Sequence, residues 1–210
     1  MRITILGLLT LFLGACAQPT ALVTVPPRVD LGRYPMLGIV NFVAAPEREL
    51  GARAARQLVE QVQAAQPGTR FIELGDRDTL LASVGSRQLD PRTLRKIGEK
   101  HGLAAVFIGE LAYTEPMVDV KLTDLTKLEG GVRAEMKGEV SARLIETSTG
   151  ASVWSRSTDA RRQIGGVRVS AEQGVSGGMR GSDPREGMLP VLVYQLTHDF
   201  RPTTVRQPAR

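Results

Sequence analysis

Val132-Arg-Ala-Glu-Met-Lys-Gly-Glu-Val-Ser-Ala-Arg-Leu144 alternates along its whole length. Val132, Ala134, Met136, Gly138, Val140, Ala142 and Leu144 fall at one parity, with Arg133, Glu135, Lys137, Glu139 and Arg143 at the other. Successive side chains of an extended chain point to opposite faces, so the pattern predicts a long amphipathic strand with one face covered and one in water. Thr147-Ser-Thr-Gly150 is turn sequence, and Ala151 to Thr158, carrying the only tryptophan at Trp154, predicts the returning arm of a hairpin.

Upstream the pattern differs. Met36-Leu-Gly-Ile-Val-Asn-Phe-Val43 is an apolar run of strand length, as expected of a strand buried on both faces. Leu50, Ala54, Leu58 and Val62 then recur every four residues, opposite Glu49, Arg53, Arg56 and Glu60, and predict an amphipathic helix ended by Pro67-Gly68. Thr69 to Leu74 predicts a second strand, so the domain opens β-α-β. Two short helices follow, one capped by Asp76 and one by Asp90 with Pro91 at its first position, closed by Gly102. Leu103 to Gly109 predicts a third buried strand.

Gly-rich sequence from Gly165 to Gly181 is expected to break regularity. Asp183 and Glu186 offer a capping-box variant to a last helix bearing Leu189, Leu192, Val193, Leu196 and Phe200, with Pro190 placed in its first turn or kinking it. The fold class is α/β: a mixed sheet with a β-α-β opening, a long antiparallel hairpin and packing helices.

Composition narrows the function. A chain of 210 residues with 42% hydrophobic content fits one domain. Lys+Arg 27 against Asp+Glu 22 gives +5, but no run of five basic residues occurs, so no nucleic-acid partner is expected. One Cys excludes disulfide frameworks, Cys-rich zinc sites and CxxC chemistry, and two His disfavour a His-rich metal centre.

That Cys is placed at Cys16. Met1-Arg2 precedes an apolar run from Ile3 to Leu13, too short to stay in a bilayer as a helix, followed by Leu13-Gly14-Ala15-Cys16. The boundaries expected are a lipoprotein signal peptide at 1–15, a lipidated extended tether at 16–34, the α/β domain at 35–200 and a disordered basic tail at 201–210. Pro19, Pro26, Pro27 and Pro35 support the tether. Ala15-Cys16-Ala17 also fits ordinary small-x-small cleavage, which would release a soluble periplasmic protein; the position of the only Cys favours acylation, palmitate included.

Element order, with Arg28-Val-Asp-Leu-Gly-Arg-Tyr34 before the first strand and Thr149-Gly-Ala-Ser-Val-Trp154 in the hairpin, resembles the CsgG family of curli-secretion-type lipoproteins. The resemblance implies a CsgG-like periplasmic α/β domain, homo-oligomers, envelope-protein partners and either a scaffold role or a secretion channel. Ala17 after the Cys, by similarity to enterobacterial lipoproteins, implies the outer membrane facing the periplasm.

A channel needs strands of about ten residues with a lipid-facing parity and aromatic girdles. In the candidate hairpins, Tyr113 to Leu128 and Gln163 to Arg180, alternation is brief or broken by glycine, so neither presents a convincing lipid face and no pore is expected. Gly174-Val-Ser-Gly-Gly178 with Asp183 and His198 matches the order of a serine esterase, but the polar residues before Ser176 and Gly181 to Pro184 after it do not make a strand-turn-helix elbow. No enzyme activity and no cofactor are expected. His101 and His198 read as helix-end residues. Glu135 and Glu139 share a solvated, charge-balanced strand face with Arg133, Lys137 and Arg143. Trp154 is favoured as core, and with Arg161 and Arg162 is a possible partner contact.

Overall fold

The computed structural model describes residues 20–124, 129–170, 174–179 and 183–208. The expected signal peptide and Cys16 lie outside the described residues. The elements are β1 (Thr20–Val25), β2 (Leu37–Ile39), α1 (Arg48–Ala65), β3 (Phe71–Glu73), α2 (Arg77–Ser83), α3 (Pro91–His101), β4 (Ala105–Tyr113), β5 (Met117–Asp124), β6 (Glu129–Glu146), β7 (Ser152–Ser170), β8 (Gly174–Met179), α4 (Pro184–Leu196) and β9 (Thr203–Pro208). A 3₁₀ turn, Thr197–Phe200, follows α4.

The main sheet runs β3-β2-β4-β6-β7-β8, with β5 also paired to β6. β2 is parallel to both β3 and β4, whereas the partners of β6 are all antiparallel to it. This is the mixed α/β architecture that the apolar runs and the long alternation predict. Apolar runs at β2 and β4 follow from double cover. Leu37, Ile39 and Phe107 join one core with α1 and α4, while Val40 and Val106 join Leu80, Ile97 and Leu103 in a second beneath α2 and α3.

The first strand is shorter than the run suggests. β2 ends at Ile39, and Val43 makes only an isolated bridge to Glu110. Beyond it α1 packs closely: a Cβ at Gly51 would lie 1.9 Å from the Phe42 carbonyl oxygen, so the helix sits against backbone there. Along α1, Leu50, Ala54, Ala55, Leu58 and Val62 are buried, and each large aliphatic among them contributes about 1.5–3 kcal/mol of apolar burial.

Caps are mixed. Asp90 accepts from the Thr93 N–H at 2.7 Å, Pro91 starts α3, and Gly102 closes it at φ 65, as predicted. Asp76 occupies the cap position of α2 without a capping bond; its carboxylate accepts from Asn41 Nδ2 at 2.9 Å instead. Asp183 caps α4 through the Arg185 N–H, but Glu186 turns to Arg53 on α1 rather than closing a box. Pro190 lies inside α4, past its first turn.

Three further expectations are corrected. From Thr20 the expected tether is ordered: β1 pairs antiparallel with β9, and Leu31 and Tyr34 are buried in the core. The expected disordered tail contains β9, because the partner of Thr203–Pro208 is almost the whole chain away and no local pattern records it. The Gly-rich region does not end the sheet. β7 continues to Ser170 and turns back as β8, since glycine weakens a strand but does not forbid ladder bonds.

Candidate functional site

The residues of the esterase pattern are not gathered. Ser176, on β8, pairs with Arg168 of β7, Asp183 caps the start of α4, and His198 lies past the other end of that helix. A helix of 13 residues is about 20 Å long, so Asp183 and His198 stand at opposite ends of a rod. His198 is exposed, with the Asp199 carboxylate 3.9 Å from its Nδ1. His101 ends α3 with Lys100, where a cation meets the carbonyl end of the helix. Among the described residues no cluster of His, Cys, Asp and Glu could hold a metal ion.

The polar parity of the hairpin is charge-balanced, as its sequence predicts. Lys137 lies 3.6 Å from Glu139 and 3.7 Å from Asp159, and Ser157 Oγ donates to Glu139. Trp154 is buried, with its ring 5.9 Å from Phe107 and 4.7 Å from Phe200, which is the core position. Arg161 is exposed opposite Lys137. Arg162 sits opposite Met136, and its guanidinium covers Gly187 of α4.

A crevice of about 380 Å³ opens past the carboxyl ends of β2 and β3, lined by Asn41, Phe42, Arg48, Asp76, Arg77 and neighbouring apolar residues. The chain leaves β2 for β3 on one side and reaches β4 on the other, so this is the switch point where open α/β sheets form crevices. Its lining carries both signs of charge and no His, Ser or Cys. Its position was not legible without the strand order.

The larger feature is the end of the sheet beyond β4. β4 pairs with β6 as far as Tyr113 opposite Gly138, where α4 packs closely: a Cβ at Gly138 would fall 3.0 Å from both Leu192 and Met188. Past that point β5, β6, β7 and β8 form a four-stranded antiparallel extension. Register orders its residue types by row. Leu122, Gly130, Val169 and Val175 align, as do Val120, Val132, Val167 and Gly177, and then Val118, Ala134, Gly165 and Met179. Between them lie Lys121, Gly131, Arg168 and Ser176, and then Asp119, Arg133, Gly166 and Gly178.

Rows of apolar and of polar residue types therefore alternate across all four strands. Along β6 the apolar rows share the parity of Met136, Gly138 and Val140, which are buried in the body, with α4 against Gly138. Met117 and Val118, at the base of the extension, are 71% and 63% exposed. Single-strand reading missed this division because glycine interrupts each strand separately, whereas the row is continued by its neighbours.

Comparison with protein-family profiles and with curated proteins gives no match. Among solved structures the chain is similar to the PelC dodecamer from Paraburkholderia phytofirmans, at 16% identity over 91% of this chain and 100% of that one, with a TM-score of 0.43. It is also similar to lipoprotein GNA1162 from Neisseria meningitidis, at 13% identity over 77% and 94% with a TM-score of 0.38. A further likeness is to the LpoB C-terminal domain from Salmonella enterica, at 13% identity over 65% and 84% with a TM-score of 0.35. Likenesses of this strength leave function to the chain's own residues.

Proposed function

We propose that the protein is an outer-membrane-anchored periplasmic lipoprotein that acts without catalysis, as an assembly or secretion-associated component of the envelope working as a homo-oligomer. The carrying observation is the four-stranded extension, whose outer strands β5 and β8 each have one paired neighbour among the described residues. Open edges of this kind are templates for pairing with another chain. Cys16 supplies the anchor, through the sequence motif that surrounds it. No helix of the described residues is long and apolar enough to cross a membrane.

A second reading is favoured by the alternating rows. Extensions from several copies, paired edge to edge, would close into a barrel with one apolar and one polar surface, the division a membrane pore requires. Residue type weighs against it: β5, β6 and β8, and β7 beyond Trp154, carry no Trp, Tyr or Phe among the described residues for an interfacial girdle. The protein extracted from membranes in mild detergent is expected to run as a closed oligomer and to give no stable conductance in planar bilayers. Conductance steps would establish the pore instead, and a monomer at all concentrations would defeat both readings. Ser176→Ala is expected to leave any background ester hydrolysis unchanged; its loss would reverse the non-catalytic assignment.

A further inference from the structure

The β1–β9 ribbon stands apart from the main sheet: its two strands bond to each other and to no strand of the larger one. A two-stranded ribbon alone is marginal in water. This one is also unusually bare, with Leu22 70% exposed and Val23 and Val25 each 39% exposed. Register puts Val23 opposite Val205 and Leu22 opposite Arg206, so one face carries Ala21, Val23, Val25 and Val205 and the other pairs Leu22 with a guanidinium. The two strands hold one Arg, Arg206, and no Asp or Glu, while Arg28 is engaged by Asp199 and Arg201 by the Tyr194 carbonyl.

Position selects the occupant. Thr20 is four peptide steps from Cys16, and an extended chain covers at most about 14 Å in that distance. A thioether-linked diacylglycerol at Cys16 therefore cannot enter a bilayer while the ribbon stands far from it. We propose that the β1–β9 ribbon is a bilayer-surface contact: Leu22 seats at the headgroup–acyl boundary beside the anchor, and Arg206, on the same face, meets the phosphates of anionic phospholipid. The chain between anchor and body is thus a docking element that fixes the body close to the membrane, where a long tether would let it range. The inference rests on acylation of Cys16.

The test uses the full chain, processed in its host and reconstituted in vesicles of phosphatidylethanolamine and phosphatidylglycerol. With the Cys16 sulfur blocked by lipid, Leu22→Cys offers one thiol for an environment-sensitive fluorophore, and Asp78→Cys on α2, also exposed, provides the comparison. A spin label carried in the acyl region is expected to quench the probe at 22 about threefold or more over the probe at 78, with a blue shift at 22 only. Arg206→Glu should lessen that quenching on the anionic vesicles and not on phosphatidylcholine. A probe at 22 as open to aqueous quencher as that at 78 overturns the contact, and a probe shielded from water but untouched by the lipid label overturns it in favour of a second copy of the chain. An intact mass with unmodified Cys16 is a separate result that removes the anchor and the contact together.

Discussion

The indole N–H of Trp154 donates to Asp199 Oδ2 at 3.1 Å, tying β7 to the turn that follows α4. The other carboxylate oxygen meets Arg156 at 2.9 Å and Arg28 at 3.6 Å. Asp199 thus gathers three parts of the chain, including the segment that leads in from β1. Burial alone would push its carboxyl up, but the bonds from Trp154 and Arg156 and the charges of Arg156 and Arg28 outweigh that and hold it below its ordinary range.

Asp199→Ala leaves the Trp154 N–H and the half-buried Arg156 without their acceptor, so we expect a loss of about 3 kcal/mol in chemical unfolding. Asp199→Asn keeps an oxygen for the indole and loses only the charge, and should cost about half as much. Equal losses for the two variants would show that the charge carries the whole effect, and an unchanged stability in Asp199→Asn that it carries none.

Acid should act on the same group. A carboxyl held below its unfolded value of 3.8 adds stability that is fully present above about pH 5. That stability is lost as pH falls through the unfolded and then the folded value. In Asp199→Asn this part of the acid dependence should vanish, as read from denaturation midpoints between neutral pH and about pH 3.

A second lock depends on one amide. Gln66 Nε2 donates to the carbonyls of Val29 at 2.7 Å and Phe200 at 3.0 Å, and its Oε1 accepts from the Leu31 N–H at 2.8 Å. Gln66→Ala should cost about 2–3 kcal/mol and speed hydrogen exchange at Leu31. Gln66→Glu should rescue little, because a carboxylate cannot donate to either carbonyl.

Legibility in the sequence followed locality. The α1 stripe, the Asp90-Pro91 start and Gly102 stop of α3, and the Val132 to Leu144 alternation are each set by residues within a few turns or pleats of one another. What escaped reading depends on distant pairing. β1 carries no period of its own beside Pro26 and Pro27, and β9 becomes a strand only because β1 lies next to it. The rows of the extension are a property of four strands taken together: Gly130 is neutral in β6, yet Val169 and Leu122 make its row apolar. For the same reason Arg28-Val-Asp-Leu-Gly-Arg-Tyr34 could be noticed as a phrase while its task of filling the core with Leu31 and Tyr34 could not.

Gly51→Ala tests the close approach of α1. The added methyl would lie 1.9 Å from the Phe42 carbonyl oxygen, and neither backbone can yield without moving the other. Despite the gain in helix propensity, we expect a loss of about 2–4 kcal/mol, seen as a lowered thermal midpoint, whereas Ala52→Gly one residue on should cost about 1 kcal/mol by propensity alone.

Tyr113 offers the alkaline counterpart to Asp199. Its hydroxyl donates to the Arg185 carbonyl at 3.1 Å, at the point where β4 leaves the shelter of α4. Burial, with a lesser push from the Asp183 charge, raises the phenol to about 12 against the counter-effect of Arg53. A phenol held neutral in the fold adds stability that is complete below its unfolded value of 10 and is lost as pH rises from there towards 12. Tyr113→Phe should therefore remove one late ionisation from the ultraviolet alkaline titration and flatten the decline in stability above about pH 10, while costing about 1 kcal/mol at neutral pH for the lost bond. Loss of an ordinary ionisation near pH 10, in place of a late one, would mean that Tyr113 meets water freely and that α4 does not hold the base of the extension.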